Sequence, residues 1–120
     1  RLSRDRGLAL LLITQDMGVV AQVCDRVAVL YAGRIAEERA VDPLFATPAH
    51  PYTTALIDCI PRDGMTPGSL HGIPGAVPTS GRSTPRCATA ADLCRQERPP
   101  LRPPHHALAV ACHFANAEAP

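Results

Sequence analysis

Three cysteines stand in the last part of this chain, with six residues between Cys87 and Cys94 and seventeen between Cys94 and Cys112. Thiolate sulfurs suit soft metals, iron or zinc, and a segment too rich in proline to pack by itself can be organised around such a centre. His113 or His106 would supply a nitrogen to complete a zinc set. Three thiols without a metal are the other reading of the same residues. Cys24 and Cys59 fall on apolar helical faces and are expected to be reduced core residues. A second polar cluster is Thr14-Gln15-Asp16. A glutamine amide can donate a hydrogen bond to an anionic oxygen, but it carries no charge and shuttles no proton. Asp16 is expected to cap a helix. His50, His71 and His105 are expected in loops.

The composition narrows what these groups can serve. The chain has 120 residues and 13 prolines, about twice the usual share of roughly 5%, and every proline is at Pro43 or later. Net charge is +1, all the basic side chains being arginine, which gives no general signal for binding nucleic acid. A hydrophobic content of 46% argues against global disorder. The longest apolar runs fall well short of the ~20 residues that cross a bilayer, and no signal-peptide pattern is visible. The first residue is Arg1, so a piece of something longer is expected.

The elements that must position the chemistry follow from pattern. Residues 7–14 are apolar without alternation, as in a strand buried on both faces of a parallel sheet. Asp16 opens a short helix in which Val19, Val20, Val23 and Val27 recur at helical spacing. Arg26 to Tyr31 is β-branched and apolar, Ala32-Gly33 is a turn, and Arg34 to Glu37 alternates, which is a hairpin. Asp42-Pro43 reads as a cap followed by proline at the first helical position, opening a helix to Ala46. A further helix is expected from Pro51 to about Ile60, with Tyr52, Ala55, Leu56 and Cys59 on one face, ended by Pro61. From Arg62 to Arg86 glycine and proline break any period. The remainder, with Pro99-Pro100 and Pro103-Pro104, is expected to be mostly irregular. Residues 1–60 thus read as the end of an α/β domain and 61–120 as a cysteine-bearing extension.

Three stretches taken in order resemble one family. Leu10 to Ala21 resembles the strand and switch loop of an ABC transporter ATPase, and Asp25 to Ile35 the hairpin after it. His50-Pro51-Tyr52-Thr53 and the cysteine tail narrow the resemblance to ATP-binding subunits of dipeptide and oligopeptide importers. It implies an α/β fold: the C-terminal part of a P-loop ATPase domain followed by the family's cysteine-containing extension. It further implies ATP and Mg²⁺ in the intact parent, a second ATPase subunit and membrane subunits as partners, and a peripheral position on the cytoplasmic face of the membrane. Peptide would not be bound directly.

The departures from that family are specific. A P-loop needs a lysine and this sequence has none, so the chain alone is expected to be inactive. The family's magnesium ligand, catalytic acid and signature motif are expected to precede these residues. Gln15 stands where the family has its switch histidine, which contacts the γ-phosphate. The substitution implies a slowed or inactive switch, or a sequence no longer in use. In the extension the family's cysteines bind an iron–sulfur cluster, and Cys87, Cys94 and Cys112 match its last three ligand positions. The first falls at Gly81, in a Pro78–Cys87 segment that is shorter than usual. Ser83, His113 or solvent would then fill the gap, or a three-iron cluster would form. A free-standing metal module and a non-functional remnant are the alternatives to an importer fragment.

Overall fold

The computed structural model describes residues 6–66, 68–69, 72–78, 86–102 and 109–115. Gly81, Ser83, His71, His105 and His106 lie outside them. The architecture is a small α/β arrangement around a three-stranded antiparallel sheet of order β1-β2-β3. In chain order the elements are α1 (Met17–Val23), β1 (Arg26–Tyr31), β2 (Arg34–Ala40), α2 (Val41–Ala46), α3 (Pro51–Asp58), α4 (Asp92–Gln96) and β3 (Ala109–Val110).

The apolar run at 8–14 corrects the expectation of a buried strand. It carries no strand or bridge, and Leu10, Leu11 and Ile13 are 77%, 86% and 90% exposed. Apolar character without alternation suits a strand covered on both faces, but a strand also needs hydrogen-bonding neighbours. The sheet formed by the described residues runs β1-β2-β3 and does not include this segment.

Asp16 does cap α1. Its carboxylate accepts the Val19 amide at 3.0 Å, and Thr14 Oγ1 accepts the Asp16 amide at 3.0 Å, which fixes the approach to the helix. Val20 is the buried residue of α1. The helix ends at Val23 and Val27 belongs to β1, so the helical spacing of valines runs one residue too far.

The hairpin turns where expected. Ala32 and Gly33 both have positive φ, 51° and 75°, the backbone that matches the twist of two antiparallel strands. Val29 pairs with Glu37 but Leu30 with Ile35, so Ala36 is an extra residue on β2, a bulge. Ala36 and Glu37 are both buried, and the Ala36 carbonyl accepts the Ala111 amide at 2.8 Å. Beside it β3 pairs with β2 through Glu37↔Val110 and Glu38↔Ala109. The tail therefore contributes a strand and the short helix α4, where mostly irregular chain was expected.

The start of α2 is also shifted. β2 continues to Ala40, the Val41 amide donates to the Asp25 carbonyl at 3.1 Å, and the N-cap is Ala40 without a side-chain bond. Asp42 is thereby moved into the first turn, where its charge suits the helix dipole, and Pro43 is the third helical residue. Leu44 is fully buried against Val29 and Ile57, with Met17, Val27, Phe45, Tyr52, Leu56 and Ile60 packed around them. Removing a side chain such as Leu44 from water contributes about 2 kcal/mol. In α3 the buried residues are Thr53 and Ile57, not Ala55 and Cys59, and the helix stops at Asp58. The rotation follows from its anchor at His50. Among the described residues no helix is long and apolar enough to cross a membrane.

Candidate functional site

Gln15 lies on the exposed loop between the apolar run and α1. Its neighbours are engaged locally: Thr14 holds the Asp16 amide, and Asp16 holds α1. The Gln15 side chain is thus the polar group of this cluster that faces solvent from a fixed backbone.

A buried polar hub joins the sheet to α3. Glu37 is fully buried, and its two carboxylate oxygens accept the Ala49 amide at 3.0 Å and the His50 amide at 2.9 Å. The Arg39 guanidinium approaches to 3.8 Å, and Arg39 also donates to the Thr47 carbonyl at 2.6 Å. His50 continues the relay, its Nδ1 accepting the Tyr52 amide at 3.0 Å and so capping α3. Sequence reasoning placed His50 in a turn but missed Glu37. The only signal was alternation, which sets Glu37 on the same side of its strand as Ile35.

Burial pushes the His50 pKa below the ordinary histidine value, although the Glu37 carboxylate and a hydrogen bond to the Ala111 backbone act in the opposite direction. The native state therefore binds fewer protons than the unfolded chain once pH falls below about 6.5. Stability should be fully present above that pH and decline toward pH 5. His50→Asn keeps an acceptor for the Tyr52 amide without a titrating ring. Urea midpoints for that variant should change less between pH 7 and 5.5 than those of the parent, and equal slopes would remove His50 as the cause.

The three tail cysteines come together. Cys87, Cys94 and Cys112 line one small cavity of about 20 Å³, whose walls include His50 and His113. Cys87 precedes a turn closed by the Ala90 amide donating to its carbonyl at 3.2 Å. Cys94 sits in α4, and Cys112 follows β3. The Cys112 sulfur accepts the Phe114 amide at 3.4 Å. Burial raises the Cys112 pKa and the Cys87 and Cys94 thiols add to this, while the Phe114 amide lowers it. A metal arriving here would have to displace that proton. The donor set has the chemistry of a soft-metal site. Yet among the described residues no three His, Cys, Asp or Glu side chains are grouped so as to hold an ion. Cys24 and Cys59 are half-buried and outside this cavity, and none of the five cysteines forms a disulfide.

Residues 36–99 match the family described as the C-terminal region of oligopeptide/dipeptide transporters. A probable peptide ABC transporter ATP-binding protein of Sinorhizobium fredii is 42% identical over 94% of this chain and 36% of its own length. The oligopeptide transport ATP-binding protein AppD of Bacillus subtilis is 39% identical over 92% of the chain and 35% of its own length. The dipeptide transport ATP-binding protein DppD of Haemophilus influenzae is 37% identical, with 93% and 36% covered. The chain thus spans about a third of the length of these curated relatives.

Proposed function

The chain belongs to the oligopeptide/dipeptide transporter C-terminal-region family, and from that premise we propose that it is part of the ATP-binding, energy-coupling subunit of an ABC importer for dipeptides or oligopeptides. The observation that carries the reading is the extent of the similarity. It runs through more than nine-tenths of the chain in relatives named for peptide or oligopeptide transport.

In this reading ATP and Mg²⁺ are held by a P-loop, a magnesium ligand and a catalytic acid elsewhere in the parent subunit, and this chain alone does not hydrolyse ATP. Its contribution to the chemistry is the loop of Thr14, Gln15 and Asp16. Asp16 fixes the start of α1, and the Gln15 amide is the donor presented toward the γ-phosphate. Phosphoryl transfer depends on such positioning more than on covalent chemistry. Residues 1–60 end the ATPase domain and 61–120 form the extension. The exposed side chains of Leu10, Leu11 and Ile13 support a larger domain that covers them, and disfavour a free-standing module. The partners are membrane subunits and a second ATPase subunit at the cytoplasmic face. Peptide is not bound by this chain.

Cys87, Cys94 and Cys112 form the basis of a soft-metal site, an iron–sulfur cluster by the family's pattern and zinc by the alternative. When bound, the metal supplies cross-links that tie α4 to the chain after β3.

Exchanging this chain for the matching third of AppD tests the reading. Oligopeptide uptake by cells whose AppD is replaced by the chimera supports it. A stable chimera without uptake in any switch variant opposes it.

A further inference from the structure

We propose that Cys94 and Cys112 are a redox-sensitive pair that closes into a reversible disulfide by exchange with a low-molecular-weight disulfide, clasping α4 to the chain that leaves β3. This does not rest on the metal reading of the cysteines, and it needs only two sulfurs.

Cys87, Cys94 and Cys112 line one cavity, all of them free thiols, and the hydrogen bonds around them select two. His113, the neighbour of Cys112, meets the Glu97 carbonyl through Nε2 at 3.1 Å; a carbonyl only accepts, so the ring donates. Glu97 is the C-cap of α4, and Cys94 is three positions before it, within the same turn. That bond therefore draws the turn carrying Cys94 to the residue after Cys112. Cys112 is fixed from its other side as well. The Ala111 amide is held by the Ala36 carbonyl at 2.8 Å, and the Phe114 amide donates to Cys112 Sγ at 3.4 Å. Cys87 is engaged locally instead. Its sulfur lies 3.5 Å from the Thr89 hydroxyl, and its carbonyl accepts the Ala90 amide in a turn closed on itself.

The exchange balances in two steps. One cysteine thiolate attacks the small disulfide, forming a mixed disulfide and expelling a small thiolate. The other cysteine thiolate attacks the protein sulfur of that mixed bond and expels the second. Two cysteines are oxidised, one small disulfide is reduced to two thiols, and the two cysteine protons end on those thiols. In a reducing compartment such a bond is transient and acts as a sensor, not as a permanent staple.

Sequence distance alone favours a different pair. Six residues separate Cys87 from Cys94 and seventeen separate Cys94 from Cys112, so loop closure in an unfolded chain prefers Cys87–Cys94 by roughly fourfold. The test uses that contrast. The full 120-residue chain, with a chelator present, is equilibrated in glutathione buffers, alkylated, and cleaved before Asp92 and after Arg95, which separates the three cysteines. Cys94–Cys112 should be the dominant bond in native buffer, and Cys87–Cys94 should overtake it in guanidinium. Cys87→Ser should leave the native glutathione midpoint unchanged. Oxidation should slow hydrogen exchange of the Ala111 amide about tenfold or more, because the clasp constrains the opened chain. A native bond dominated by Cys87, a native map equal to that in guanidinium, or no disulfide in glutathione disulfide alone would overturn the pair. Unchanged Ala111 exchange in the oxidised chain would overturn its action as a clasp.

Discussion

Replacing Gln15 with histidine is expected to raise the ATP turnover of a full-length subunit carrying this segment by about tenfold or more. The backbone around it is already held, because Thr14 and Asp16 fix the loop and the first turn of α1. The change therefore alters one exposed donor and not the fold. An imidazole can carry positive charge next to a phosphate oxygen, while a glutamine amide offers only a neutral N–H. Losing one well-positioned donor at a developing charge costs ~3–4 kcal/mol, or a hundredfold or more in rate. The glutamine recovers part of that, so the gain should be smaller than the full figure. Steady-state phosphate release by the AppD chimera, with and without Gln15→His, gives the answer. Equal rates would mean that Gln15 is not the limiting group of the switch.

Glu37→Ala is expected to destabilise the chain by about 3–5 kcal/mol. The substitution leaves the Ala49 and His50 amides, both on buried residues, without their acceptor. Each buried, unsatisfied donor costs ~1–3 kcal/mol, and the space left by the side chain adds to this. Arg39 also loses a nearby carboxylate. Against a total stability of ~5–15 kcal/mol for a domain, that is a large part. Glu37→Gln keeps one acceptor oxygen and should cost about half as much. The effect should reach the tail, because Glu37 faces Val110 across β2 and β3. Faster labelling of Cys112 by a thiol reagent, in step with a lower urea midpoint, is the expected pair of results. A midpoint within about 0.5 kcal/mol of the parent, the range of ordinary surface substitutions, would show that the hub is not a keystone.

The elements governed by local chemistry were legible. Ala32-Gly33 marks the hairpin because two consecutive positive φ values leave few residues able to sit there, and Asp16 marks α1 because its carboxylate has an amide to hold. Pro51 marks α3 for a similar reason, its missing N–H costing nothing at the first helical position. The failures share a different cause, which is that distant chain decides the outcome. Asp42 looks like a cap, yet β2 runs on to Ala40 and puts it inside α2. The face of α3 is set by the bond from His50 to Glu37, thirteen positions earlier, and alternation alone gave only a faint sign of it. β3 depends on a carbonyl exposed by the Ala36 bulge, which no periodicity displays. The run at 8–14 has the composition of a buried strand, and composition cannot supply the strands beside it.

The site divides in the same way. The spacing of Cys87, Cys94 and Cys112 raised a common centre, and the fold does bring them to one cavity. The different roles of His50 and His113 could not be read from sequence, since they rest on which backbone group each ring meets. His50 Nδ1 accepts the Tyr52 amide and caps α3, whereas His113 Nε2 meets the Glu97 carbonyl.

Uptake of labelled oligopeptide by Bacillus subtilis cells, in which this chain replaces the matching third of AppD, tests the central claim most directly. Uptake should stand clearly above that of cells lacking AppD when Gln15→His is present, and should be lower with Gln15 retained. A chimera that accumulates to the level of native AppD, yet gives no uptake even with Gln15→His, would contradict the assignment of this chain to a peptide importer's ATP-binding subunit.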